Sequence, residues 1–560
     1  VLCRRGAIAR AAKSLAVYQA GGAGMIMYNN SDVDNLFTDT HWVPSVHIDN
    51  TPGLAVKAYI AADAAPTAEI ITEQVSEWPS APSMTIFSSR GPNPVSPDLI
   101  KPDITAPGLQ ILAGNTPTPI GGVQGELFQA IAGTSMSSPH IAGLFALIAA
   151  ANPDWSPAMA KSALMTTSYQ DVVDNDRVSP ADAFSMGAGH ADPGNAVHKG
   201  SAFQPGLVYD AGLFEYAAYT CGEDFGVFTT GSCDFLESIG VPSDPSDLNV
   251  PSIGIAELAG SQTVVRTVTS VAQDNGWRTY DVSVDAPAGY DVNVEPSRIR
   301  LKSGQSATYE VTITNVSAPA GEWRHGSLTW TDKTGNYDVY SPIAVNASLF
   351  SAPAEVVGAG EDGSASFDVV FGYTGSYSAA PHGLVPATVT SDNVVQDPDQ
   401  GFDPNDGYSN AHTFNLVDAA FLRIAMPPEA VDDPNIDLDL FLYGPAGTQI
   451  ASSTAGGTNE LIELTLPADG AYTLYVHGWQ TVQASADYDM WSWAVPLAPG
   501  GGSLTVDSAP ASAVTGEVGT VDISWTGLTS GDIGAWYLGA VSHTGDVGLM
   551  GLTLVDVDNR

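Results

Sequence analysis

Residues 133–140 read Gly-Thr-Ser-Met-Ser-Ser-Pro-His, and the run from His140 to Ala151 is small and apolar on every side. A helix without a polar face belongs at the centre of a domain, so the chain must build layers around it. Its apolar stretch is too short to span a bilayer. The same segment sets a hydroxyl, Ser135, at the first turn of that helix. A serine there has its own N–H and the helix N-terminus beside it, both suited to a developing oxyanion. Gly133 leaves room for a substrate carbonyl to approach. The plainer reading of a Gly-x-Ser is a helix cap. The Gly-x-Ser-x-Gly elbow does not apply, because Ser137 stands where that motif has glycine.

Taken whole, the eight-residue word resembles the nucleophile segment of the subtilisin-like serine peptidases (subtilases). A second block, Phe87-Ser-Ser-Arg-Gly-Pro-Asn93 followed by Lys101-Pro-Asp-Ile-Thr-Ala-Pro-Gly108, is similar to words just upstream of the serine in subtilases with a protease-associated insert. Gly187-Ala-Gly-His190 and Pro205-Gly-Leu-Val-Tyr-Asp210 resemble the end of the same catalytic domain. The resemblance implies that Ser135 is the acyl-forming nucleophile. It also implies that Gly133, Thr134, Ser88 and Ser89 line the substrate cleft, and that His140 is structural.

A nucleophilic serine needs a base and an orienting carboxylate. The subtilisin order is Asp, His, Ser. In that family the histidine opens His-Gly-Thr and the aspartate sits in Asp-Thr-Gly or Asp-Ser-Gly. Upstream of Ser135 only His41, in Thr-His-Trp, and His47, in Val-His-Ile, are present, and neither context matches. His190 and His198 follow the serine and lack the motif. Asn115, in Leu-Ala-Gly-Asn, imitates the family's oxyanion asparagine but falls after Ala106-Pro-Gly108, where the family has a surface strand and turn. The expectation is therefore a fragment whose Asp, His and oxyanion Asn lie upstream of Val1.

Net charge is −43, from 19 Lys+Arg against 62 Asp+Glu. That excess argues against nucleic acid and anionic membranes as partners, since phosphate binding needs clustered cations. It suits solubility in an extracellular, saline setting. Of three cysteines, Cys221 and Cys233 lie twelve apart, and a secreted protein would join them as a short disulfide loop. The expected partners are protein or peptide substrates. Polymer or cell-surface contact is assigned to the C-terminal modules, and the location to the extracellular space.

The resulting fold expectation is multidomain. Residues 1–79 resemble part of a protease-associated domain, with a strand at Val1–Cys3, a helix over Ala7–Gln19 and a strand at Met25–Tyr28. Residues 80–235 are read as the C-terminal part of an α/β subtilisin-like domain. Asp154-Trp-Ser-Pro157 caps a helix there. From about 247 short alternating strands take over, as in Thr308–Thr314. Residues 247–350 resemble a fibronectin-III-like domain. Residues 351–496 resemble the β-sandwich at the C-terminus of secreted bacterial peptidases. A Pro496–Gly502 linker then leads to a small all-β module at 503–560. No cofactor is expected. Asp437 and Asp439 are candidate calcium ligands, with solvated carboxylates on an edge strand as the favoured alternative. Two further functional readings remain open, a non-catalytic extracellular binding protein and an enzyme whose halves associate after processing.

Overall fold

The computed structural model describes residues 1–560 except 33–34, 38, 72–81, 117, 119–126, 195–198, 224–226, 274–275 and 501. The chain divides into two units, Val1–Ala347 and Ser348–Arg560.

The first unit opens with a parallel sheet of Leu2–Arg4, Met25–Tyr28 and Ser45–Ile48; helix Arg10–Gln19 connects the first two strands, and helix Asn50–Ala62 follows the third. Parallel neighbours require such crossovers. Met25 and Met27 are fully buried against Val17 and Val43. The strand–helix–strand order read from the sequence is present.

The next segment contains little sheet. Its helix Pro157–Thr166 starts as Ser156-Pro157 dictates: Ser156 accepts the Met159 N–H at 3.0 Å and the proline occupies the first turn. Short bridges then weave three stretches together. The Ala188 N–H reaches Asp103 O at 3.0 Å, the Thr105 N–H reaches Gly189 O at 2.9 Å, and Tyr169 and His190 exchange backbone bonds at 2.8 and 2.7 Å. Gly187 has φ +64°, and a Cβ there would lie 2.4 Å from the Asp103 backbone, so no other residue fits.

A sandwich completes the unit. One sheet runs Tyr290–Glu295, Ser306–Asn315, Ser261–Ser270, Leu207–Tyr209. The other runs Arg298–Leu301, Arg278–Asp285, Trp323–Asp332, Asp338–Ser348, Ile253–Ala259. The expected alternation holds: Tyr309, Val311 and Ile313 are buried, and Thr308 and Thr312 pair their hydroxyls with Thr267 and Thr263 across the outer face.

One assignment needs correction. Pro205–Asp210 resembles the end of the α/β domain, yet Leu207–Tyr209 is a strand of this sandwich, paired Leu207↔Ser270 to Tyr209↔Val268. All three residues are buried, and the Tyr209 N–H bonds Ser162 of the helix Pro157–Thr166 at 2.9 Å. A strand covered on both faces reads as a plain apolar run, which cannot say whose sheet it joins.

The second unit corrects the C-terminal reading more deeply. Residues 503–560 are not a separate module. Val518–Trp525 pairs along Gly363–Phe371, Trp536–Gly545 along Gly375–Pro386, and Gly548–Asp558 along Glu355–Gly358. Residues 350–386 and 504–558 thus make one sandwich in two instalments. Between them, from Thr388 to Pro496, lies an inserted sandwich. Its sheets run Thr388–Val395, Ser485–Pro496, Ala419–Met426, Glu460–Thr465 and Ser409–Leu416, Gly470–Gln480, Asp437–Tyr443, Gln449–Ser453. Insert and host are locked by a buried guanidinium. Arg423 of the insert reaches Glu463 at 2.6 Å and, in the host, Glu355 and Asp556 at 2.8 Å each. Trp491 and Trp493 add indole bonds to the host carbonyls of Ile533 and Trp536.

Candidate active site

Ser135 sits in the first turn of the helix Thr134–Ala151 and is exposed. The turn before it is pinned. The Gly133 N–H donates to Gly108 O at 2.9 Å, and the Met136 N–H donates to Gly133 O at 3.0 Å. Ser137 presses so closely on Gly108 that a Cβ there would lie 2.3 Å from its Oγ. The Ala-Pro-Gly word is therefore the bed on which the serine turn rests.

The loop Phe87–Asn93 is clamped from the other side. The Arg90 guanidinium forks onto Asp174 at 3.1 and 2.5 Å, and also binds Asn175 at 2.9 Å and the Ser185 hydroxyl. Asp103 lies between Lys101 and Lys161, both at 2.8 Å. Burial pushes its carboxyl upward, but the two ammonium groups outweigh that and hold it below its ordinary value.

A cavity of about 270 Å³ opens beside the serine turn, lined by Asn35, Ser88, Thr134, Ser137 and His190 among others. Of the four cleft residues named from sequence, Ser88 and Thr134 meet here. Gly133 anchors the adjoining turn through Gly108. Ser89 is exposed and does not line the cavity. Asn35, 51 positions before Ile86 and in no recognisable motif, carried no signal. It reaches the site because its side chain accepts the Ile86 N–H at 3.2 Å.

None of the described histidines hydrogen-bonds Ser135. His140 donates from Nδ1 to Met136 O at 2.7 Å, one turn back on its own helix. His190 is half-buried, and burial holds its pKa below the usual imidazole value. His41 meets Ser14 at 3.1 Å, and His47 meets Asn29 at 2.7 Å. His198 lies outside the described residues. Asn115 follows the strand Ile111–Gly114, whose partner runs Ile111↔Ile131 to Gly114↔Phe128. Asn115 lies opposite Leu127, six residues before Gly133, so the hairpin carries it away from Gly133 by roughly 20 Å at strand rise.

The helix itself departs from its all-round apolar pattern. Only Ile148 is buried, and Leu147 is 58% exposed. By length and composition its 18 residues could cross a membrane. Its first turns carry Thr134, Ser135, Ser137, Ser138 and His140, which leaves about half the twenty apolar residues a span requires.

Cys221 and Cys233 are joined, S–S 2.07 Å, tying the helices Leu213–Gly222 and Thr230–Ser238. Cys3 is a free thiol. Asp437 and Asp439 do not lie on an edge strand, because Asp437–Tyr443 runs between two neighbours. Asp439 is buried, 3.4 Å from His477 Nδ1, whose Nε2 is 2.8 Å from Asp397. Among the described residues no group of three or more His, Cys, Asp or Glu could hold a metal ion.

Residues 23–189 match the model of the Subtilase family. That stretch of the chain is similar to the subtilase domain. The match begins at residue 23, so it runs through most of the stretch read as a protease-associated insert. A Fibronectin type-III domain model matches 247–345, and a Bacterial pre-peptidase C-terminal domain model matches 408–478, inside the inserted sandwich. Subtilisin-like protease SBT1.4 of Arabidopsis thaliana is 37% identical over 382 residues, covering 62% of this chain and 47% of that protein. Subtilisin-like protease SBT5.6 of the same plant is 38% identical over 369 residues, covering 62% and 45%. The chain spans about half the length of the curated subtilase relatives it matches.

Proposed function

We propose that this chain is the serine-bearing portion of a secreted subtilisin-like serine endopeptidase, with Ser135 as the residue acylated by substrate. The observation that carries this reading is the exposed Ser135 hydroxyl at a pinned helix N-terminus inside the subtilase-matched segment. Its backbone N–H supplies one oxyanion donor, and the helix end adds favourable potential. Attack by the Ser135 hydroxyl would expel the leaving amine as the acyl ester forms, and water would then hydrolyse that ester, each step needing an imidazole to shuttle the proton. The base, its carboxylate and the second oxyanion donor belong to residues outside these 560. The half-length match to the relatives supports that assignment. The joined Cys221–Cys233 pair and the acidic composition support an oxidising, extracellular setting.

The chain alone is then expected to hydrolyse no peptide. Loss of the base and its orienter in such a triad costs about a million-fold in turnover. A fluorophosphonate probe should leave Ser135 unlabelled. Labelling, or hydrolysis abolished by Ser135→Ala, would mean a base within the chain. The transcript 5′ of the Val1 codon decides the larger question. In-frame Asp-Thr-Gly and His-Gly-Thr words support the peptidase. A leader placed directly before Val1 sinks it. The second reading, a non-catalytic extracellular binding protein, is favoured by one observation: no described histidine meets Ser135.

A further inference from the structure

The chain carries 19 Lys+Arg against 62 Asp+Glu, and two of its cations share one exposed indole. The strand Arg298–Leu301 lies at the edge of its sheet. Ile299 and Leu301 point into the core, while Arg298, Arg300 and the following Lys302 face solvent. Alternation sets the three cations in a straight row with steps of about 7 Å. Arg298 binds Asp281, which Lys333 approaches at 3.5 Å. Arg300 and Lys302 make no ion pair among the described residues. Both instead lie over the Trp277 ring, 4.9 and 5.0 Å from its centroid. That indole is 50% exposed.

Cations on an edge strand can serve only to block edge-to-edge pairing. That role does not need a large indole, which soluble surfaces avoid and which here is held in place by two uncompensated charges. The net charge of the chain repels anions at long range, but screening confines each charge to about 8 Å at physiological salt. At contact the row governs. We infer that this edge docks a linear anionic polysaccharide, its carboxylate or sulfate groups on Arg300 and Lys302 and one sugar ring against Trp277. A linear polyanion matches a linear row of charge. The flat indole face suits the C–H face of a sugar. The inference is independent of peptidase activity.

Affinity electrophoresis of the whole chain in gels containing polygalacturonate tests it, with dextran as the neutral polymer and polyaspartate as the acidic peptide. Polygalacturonate should retard the chain, less so as salt rises, and dextran should not. The double variant Arg300→Gln/Lys302→Gln and the variant Trp277→Ala should each weaken retardation about five- to tenfold, and Trp277→Phe should retain most of it. Arg324→Gln, which removes an exposed arginine already paired with Glu322, should change it less than twofold. Three results overturn the inference: no retardation of the native chain, equal retardation by polyaspartate, or indifference to the Arg300/Lys302 and Trp277 variants.

Discussion

Asp98 shows how far a single residue can depart from its composition. It sits where the α/β segment meets the sandwich and accepts the Ala256 N–H at 2.7 Å. Burial pushes its carboxyl up to about 6; the Ala256 bond partly offsets this, and Asp244, Glu223 and Glu257 push it further. Unfolded, the same group titrates near ~3.9. Between those values the folded state holds the extra proton, so stability falls as pH rises from about 4 to 6 and then levels. Asp98→Asn keeps an acceptor for Ala256 without the charge. It is expected to raise the stability of the first unit at pH 7 by on the order of 2 kcal/mol and to be neutral near pH 3. Urea melts at the two pH values check this, and a less stable variant at pH 7 contradicts it. Nothing around Asp98 in the sequence announces this, because the named groups that act on it, Ala256, Asp244, Glu223 and Glu257, lie more than 120 positions away. Ser135 is the opposite case. Its eight-residue word carries the turn, the helix start and the hydroxyl together, so it was legible without the fold.

Among the elements, the helix Thr134–Ala151 is the most instructive. Its sequence asks for burial all round, and the described structure buries only Ile148. Leu112, Leu127, Phe128 and Leu147 are exposed in the same segment. The local pattern states what the helix needs but not whether a given stretch of chain supplies it. Leu147→Lys should therefore shift the stability of this chain by less than about 0.5 kcal/mol, as at ordinary surface positions. A loss of several kcal/mol in thermal melts would show that the helix is covered. The helix pair Leu213–Gly222 and Thr230–Ser238 leaves Phe214 and Phe235 exposed and leans on its covalent tie. Opening a loop of this length with Cys233→Ser should cost about 3 kcal/mol locally. Hydrogen exchange should then accelerate in those two helices and not in the sandwich; unchanged protection would contradict a structural role for the tie.

For the whole molecule, the decisive fact is the order in which strands join. Reading 503–560 as an independent tail implies that it can be removed without harm. The pairing implies otherwise. Truncation after Pro499 strips Gly363–Phe371 and Gly375–Pro386 of their neighbours and removes Asp556 from Arg423. It should unfold the host sandwich, seen as rapid proteolysis of 348–386 and loss of one thermal transition. A truncated chain with the full set of transitions would restore the separate-module reading. The sequence by itself determined the element types, the alternation of buried and exposed faces, the serine turn and its family resemblance, because each is written within some ten neighbouring residues. Only the tertiary structure decided which sheet Leu207–Tyr209 joins, that one sandwich interrupts another, and which of Gly133, Thr134, Ser88 and Ser89 share a cavity. Those outcomes depend on contacts between residues far apart in the chain. A period-two pattern specifies which face of a strand is buried, but not the strand beside it.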